Sequence, residues 1–361
     1  MGRFYGRGRH PERRCLPLAQ WPSADQRLWK EALTTGDLLD GGGIRAKYRA
    51  ISNRKTERGY GRYLTFLNRR GWLSECAPAD RITDRAVVAY VKEMRELENS
   101  SYTILARLQE LYDAAVVMDP HRDWTWIQRI ASRVRSTARP ARNKAAKIVS
   151  WDDLFKLGLD MMKAAESQRT ARLAALMFRD GFMIAFIALR PIRRKNLVSM
   201  TLGQHLLNRE GAWWLIFEGE EMKNGEPFEA PWPDELTSAL ETWLTRWRPI
   251  LCQRRGRWVK SIGHALWVSD HGSSLRQDGI YGRVVLHTKR AFGHAINPHL
   301  TRDIAATHLA DSDPEHVWIA APLLGHRNFG TAQRYYIHGQ RIRAPRRYQE
   351  SLLQRRHRRK G

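Results

Sequence analysis

Residues 298–309 read PHLTRDIAATHL and residues 323–338 read LLGHRNFGTAQRYYIH, and the chemistry of these two stretches decides how the chain is read. His299 and Arg302 stand at i and i+3. On a helix that spacing puts both on one face. One can then exchange a proton while the other holds an oxyanion. Ile304, Ala305 and Leu309 make this a half-buried helix. In the second stretch His326 is followed nine and ten residues later by Tyr335 and Tyr336. By itself an HxxR pair is common by chance, and a tyrosine pair is ordinary core packing.

Two upstream cations change that balance. Arg190 follows the apolar run 182–189. A guanidinium at the end of a buried helix is costly unless it is paired. The next residues, PIRRK (191–195), contain no acid. A phosphate, matched in a bidentate way, fits that position. Lys223 lies in a turn with Asn224 and Gly225, between expected strands at 213–217 and 227–231; Lys260 is the competing lysine. In chain order the set is Arg190, Lys223, His299, Arg302, His326 and Tyr335. Three fixed positive charges, two imidazoles and a phenol suit attack on a phosphodiester with no cofactor and no metal.

Composition agrees with a polyanionic partner. The 361 residues carry a formal net charge of +25, and nucleic acid is the commonest polyanion for so basic a chain. An anionic membrane surface is the rival, but the longest apolar run, 181–189, is far short of a transmembrane span. No apolar signal core follows the N-terminal arginines. Cys15, Cys76 and Cys252 are odd in number and widely spaced. They form neither a disulfide framework nor a zinc pattern, which fits a reducing cytoplasm. HExxH, paired CxxC and Walker-type motifs are absent. His264, His271, His287 and His294 have no ligand spacing and read as solvated or packed.

The chain divides by pattern. Residues 1–20 are Arg- and Gly-rich and read as a basic flexible arm. Residues 21–135 read as a small helical domain. Ser52-Asn53 caps one expected helix, Thr83-Asp84 opens a second, Ser100 begins a third, and a short fourth holds Trp124 and Trp126. Residues 136–149 form a basic linker, read equally well as a solvated tether or as a segment that tracks a phosphate backbone. Residues 150–340 make a mostly helical second domain. Its expected helices lie at 151–162, 170–189, 233–247, 277–292, 299–309, 314–324 and 331–336, with a third short strand at 266–269. A basic tail, 341–361, ends the chain. The fold class is therefore mainly α, with a small antiparallel sheet in the second domain.

The segments ALRPIRRKNLVSM (188–200), EMKNGEPFEAP (221–231), PHLTRDIAATHL (298–309) and LLGHRNFGTAQRYYIH (323–338) together resemble the catalytic domain of the tyrosine recombinases, the phage integrase family. The resemblance covers about residues 150–340. It implies a helical N-terminal core-binding domain and a DNA-cutting and DNA-joining enzyme. It further implies Tyr335 as nucleophile, Arg190 and Arg302 on the non-bridging oxygens, Lys223 as acid toward the leaving oxygen, His299 as base, and His326 on the phosphoryl group. Partners by resemblance are two DNA duplexes held by a homotetramer, monomeric or weakly associated when free, with an accessory DNA-bending protein possible. One departure is clear: the family usually has an acid three positions after its first arginine, where this chain has Arg193. Type IB topoisomerase-like relaxation and a non-catalytic architectural DNA-binding protein are the alternative readings.

Overall fold

The computed structural model describes residues 15–37, 41–138, 147–254, 257–258 and 263–312. His326, Tyr335, Tyr336, Lys260, the helices expected at 314–324 and 331–336, and the C-terminal tail lie outside those residues. The chain forms two compact units that divide between Arg142 and Asn143.

The first unit is helical: α1 (Ser23–Leu33), α2 (Ala50–Arg69), α3 (Asp84–Glu96), α4 (Ser101–Met118) and α5 (Thr125–Ser136). Hydroxyl caps start two of them, as the sequence predicts. Thr83 Oγ1 accepts from the Ala86 N–H and Ser100 Oγ from the Thr103 N–H. The expected Ser52-Asn53 cap is incorrect. Helix α2 begins at Ala50, and the Asn53 side chain instead binds Arg45 Nε and the Arg45 carbonyl. Helix α1 was not anticipated. Nor are residues 15–20 part of a loose arm: the Leu16 N–H donates to Thr65 Oγ1 and to the Gly61 carbonyl, and Trp21 Nε1 donates to the Leu16 carbonyl. The core holds Trp29, Tyr60, Tyr63, Leu64, Leu108 and Leu111.

The second unit is built around α7 (Ala171–Leu189), which packs along α6 (Trp151–Ala165). Ser150 and Thr170 cap these two helices. Gly158 and Gly181 face each other where the helices cross. A Cβ on Gly158 would lie 2.7 Å from the Gly181 carbonyl, so the close approach needs both glycines. Helix α7 is buried nearly all round from Ala174 to Ala188. Phe182 and Phe186 alone contribute on the order of 1.5–3 kcal/mol each by burial. Phe186 stacks on Trp232 at 4.7 Å, which fixes the end of the sheet against α7.

That sheet has three antiparallel strands in the order β1 (Leu206–Arg209), β2 (Ala212–Phe217), β3 (Phe228–Pro231). Strand β1 was not expected; it pairs with β2 through a turn at Glu210 and Gly211, both at positive φ. The third strand expected at 266–269 is not one: Ala265 and Val268 make only isolated bridges, to Thr201 and Ser274. The helix expected at 233–247 runs further. It passes from α9 (Thr237–Thr242) through a π-helical turn, Trp243–Trp247, into α10 (Arg248–Cys252). Helices α11 (Gln277–Phe292) and α12 (Leu300–Ser312) follow α8 (Arg194–Ser199) and the sheet in chain order.

Candidate active site

Pro191 decides where Arg190 stands. Helical geometry is disfavoured for a residue before proline, and Arg190 leaves α7 at φ −127°, ψ 85°. Its guanidinium is half-buried. The groups around it are carbonyls, Leu189 O and Pro231 O, each at 3.4 Å. Burial lowers the Arg190 pKa, and the fields of Glu235 and Asp234 partly offset this. Those two acids come from the segment after β3, so the sequence neighbourhood could not reveal them. No carboxylate among the described residues lies within ion-pair distance of Arg190.

Arg302 is brought to the same place. Its Nη1 donates to the Pro191 carbonyl at 2.6 Å, and the residue is 6% exposed. Two arginines 112 positions apart in the sequence are thus fastened across one peptide step. His299 is exposed and sits in the turn before α12, not on the helix as expected. Asn297 ends the preceding loop, and its Oδ1 accepts from the N–H groups of His299 and Leu300 at 2.9 and 3.0 Å. The Arg302 N–H still reaches the His299 carbonyl at 3.2 Å, so one turn of chain links the pair. Asn297 was missed in the sequence; an asparagine just ahead of a helical pattern is a recognisable cap signal. Ile296 anchors the loop: its N–H donates to Thr288 Oγ1 in the core. Trp151 stacks on His308 and donates from Nε1 to the Ala188 carbonyl, which ties α12 and the end of α7 to α6.

Lys223 is exposed in the turn between β2 and β3, as expected. The residues just before it are tightly held. Burial raises the Glu221 pKa, but hydrogen bonds from His205 and the Glu218 N–H outweigh it and bring the carboxyl below its ordinary value. The Asn196 side chain donates to the Glu221 carbonyl and lies against Met222. Asn196 belongs to α8, which follows Arg190 and Pro191. Arg193 occupies the N-cap of α8 and is half-buried; burial lowers its pKa. Arg302 is thus bonded to the residue after Arg190, His299 lies one turn before Arg302, and the Lys223 turn is braced on α8. No cluster of three or more metal-ligating side chains occurs among the described residues, and no described helix is long and apolar enough to cross a membrane. His287 is packed, donating toward Asp180 at 2.9 Å.

Known proteins resemble this chain in sequence and in fold. The tyrosine recombinase XerC of Bifidobacterium longum (strain DJO10A) is 32% identical over 176 residues, covering 47% of this chain and 44% of that protein. The match therefore spans less than half of the relative's length. The XerH site-specific recombinase bound to difH substrate, in a pre-cleavage complex, has a similar fold: TM-score 0.57, 13% identity, 92% of this chain and 99% of that one. So does the Tn1549 transposon integrase (aa 82–397) in complex with circular intermediate DNA, at TM-score 0.50 and 14% identity over 88% and 98% of the two chains. The model of the phage integrase family matches residues 159–341, which takes in all six residues singled out in the sequence. With more than half the chain inside that match, this protein belongs to the phage integrase family, the tyrosine recombinases.

Proposed function

We propose that this chain is a site-specific DNA recombinase or integrase of a mobile element, which cuts and rejoins DNA through a covalent 3′-phosphotyrosine. The observation that carries the reading is the Arg302–Pro191 bond. It ties a buried arginine to the residue that follows Arg190, and Arg190 itself hydrogen-bonds carbonyls, with no ion pair to a carboxylate among the described residues. Such a pair is a fitting receptor for the two non-bridging oxygens of a phosphodiester.

In the mechanism, the Tyr335 oxygen attacks phosphorus, and the bond from phosphorus to the 5′-oxygen breaks. His299 takes the phenolic proton and Lys223 gives one to the departing oxygen. Arg190 and Arg302 hold the charge that builds on the phosphoryl oxygens, and His326 hydrogen-bonds the same group. The ester keeps the bond energy, so the 5′-hydroxyl of another strand reseals the chain without ATP. The partners are two DNA duplexes in a homotetramer, with the basic tail docking on a neighbouring protomer, in the cytoplasm of a bacterial cell.

The test uses nicked duplexes tiled across the DNA flanking the gene, incubated with the protein in EDTA. A nick near the scissile phosphate lets a short fragment diffuse away and traps the intermediate. An adduct mapped to Tyr335 is expected. An adduct on Tyr336 moves the nucleophile by one residue. Tight binding with no adduct overturns catalysis and leaves an architectural DNA-binding protein.

A further inference from the structure

Resting on the reading of Lys223 as the acid for the leaving oxygen, we propose that His205 is a positioning residue that sets the Lys223 turn through Glu221. His205 is only 3% exposed and stands just ahead of β1, with its ring against Phe217 at 5.0 Å. Its tautomer follows from its partners. The Thr201 backbone N–H lies 3.2 Å from Nδ1, and a backbone N–H can only donate. Nδ1 therefore accepts, and Nε2 carries the proton. That proton points at Glu221 Oε1, 2.8 Å away. The second carboxylate oxygen accepts from the Glu218 N–H at 3.1 Å.

The main chain at the same residue is held from the other side. The Glu221 carbonyl accepts from Asn196 Nδ2 at 3.4 Å and from Lys195 Nζ at 3.5 Å. Met222 is buried, with its sulfur 3.3 Å from Asn196 Nδ2. The loop is also narrow: a Cβ on Gly219 would lie 2.5 Å from the Gly225 carbonyl. Glu221 and Met222, the two residues that lead into Lys223, are thus clamped between the 201–205 turn and α8. A buried histidine at the root of a sheet has no need of a carboxylate partner for packing. Here one ring nitrogen is fixed by Thr201 and the other holds Glu221 at the base of an exposed turn. Lysine has a long flexible stem, and proton transfer needs its ammonium within hydrogen-bond reach of the departing oxygen. A rigid turn base shortens that search.

The test compares cleavage of nicked substrates carrying oxygen or sulfur at the 5′-bridging position of the scissile phosphate. With sulfur, the leaving group departs as a thiolate and takes no proton, so loss of the acid no longer matters. K223A should cleave the oxygen substrate on the order of 100-fold more slowly, and sulfur should restore it. H205A should be slowed by about 10-fold, a fraction of that acid contribution, and be restored by sulfur in the same way. E221A should match H205A with the histidine intact, and carries the test if H205A does not fold. E221Q, whose amide oxygen still accepts from Nε2, should lose less than E221A. Slowing of H205A and E221A that is equal on both substrates, or no slowing of either, overturns the positioning role. If K223A itself is not restored by sulfur, the acid role of Lys223 falls and the proposal with it. If K223A is restored and the other two are not, the acid role stands and the proposal alone fails.

Discussion

Arg179 and Arg190 stand in the body and at the end of the same helix, and the fold treats them in opposite ways. Arg179 is fully buried and fully paired. Its Nε and Nη2 donate to Asp180 Oδ1 at 2.9 and 2.6 Å, and its Nη1 to the Val268 carbonyl. Arg190 is half-buried, and its pKa is lowered because burial is not matched by an ion pair. A buried guanidinium kept for stability has its charge neutralised within the fold. One kept for a ligand has its charge left for that ligand, at some cost in stability. On the proposed reading, the difference separates scaffold from site within one helix, and each prediction below strains it.

The largest expected effect is at the scaffold. Asp180→Ala leaves Arg179 buried and without its carboxylate, and should cost the second unit about 3–5 kcal/mol. Urea unfolding of the full chain, with separate probes on the two units, checks this. The first unit has its own buried pair, Arg81 with Asp25, and should keep its midpoint. The pH dependence has a definite sign. Burial pushes Asp180 up, but the hydrogen bond from His287 and the charge of Arg179 hold it below the ordinary carboxylate value. Its contribution is therefore complete above the unfolded pKa, about 3.9. It is lost as pH falls through the lower folded value. The acid limb of the stability profile should flatten in Asp180→Asn.

At the site the same kind of change should act on rate and spare the fold. Arg190→Ala should lower covalent adduct formation by about 100- to 1,000-fold, as for removal of one oxyanion donor. Its melting temperature should stay the same or rise, since a half-buried charge only partly offset by Glu235 and Asp234 is removed. A fall in stability as large as that of Asp180→Ala would erase the distinction between the two arginines.

What the sequence made legible follows from how local each signal is. Thr83, Ser100, Ser150 and Thr170 were readable as helix starts because a cap acts over three residues. Arg190 stood out because Pro191 ends its helix and no acid follows. Strand β1 was hidden: its turn places Glu210 at φ 52°, a position usually marked by glycine, asparagine or aspartate. The joining of Arg302 to Pro191 was also hidden, since only the folded chain brings them together. Likewise, His205 carried no motif, and its partner Glu221 is 16 residues on, in the turn after β2. The site was legible where chemistry fixes residue type, and illegible where packing fixes neighbours.

A smaller effect tests whether α7 depends on its start as it does on its middle. Thr170 Oγ1 accepts from the Leu173 N–H at 3.2 Å, and Thr170→Ala should cost about 1 kcal/mol. Adduct formation at low temperature should be unaffected, because Arg190 is held at the far end of the helix by Pro191 and the sheet.

The smallest effect concerns a third arginine, whose geometry resembles that of Arg179 while its surroundings do not. Arg246 binds Glu166 with two parallel bonds of 2.6 and 2.7 Å and lies over the Trp247 ring. Both side chains are more than half exposed, at 54% and 53%. Water screens the pair, and ordering two long side chains offsets much of the attraction. Glu166→Ala should therefore change stability by less than about 1 kcal/mol, and added salt should shrink even that. Hydrogen-bond geometry alone would rank this pair beside Arg179 and Asp180. If urea unfolding shows Glu166→Ala to be as damaging as Asp180→Ala, geometry governs the worth of these arginines. If the loss is small and salt-sensitive, burial governs it, and a half-buried arginine surrounded by carbonyls, as Arg190 is, remains the mark of a charge kept for a ligand.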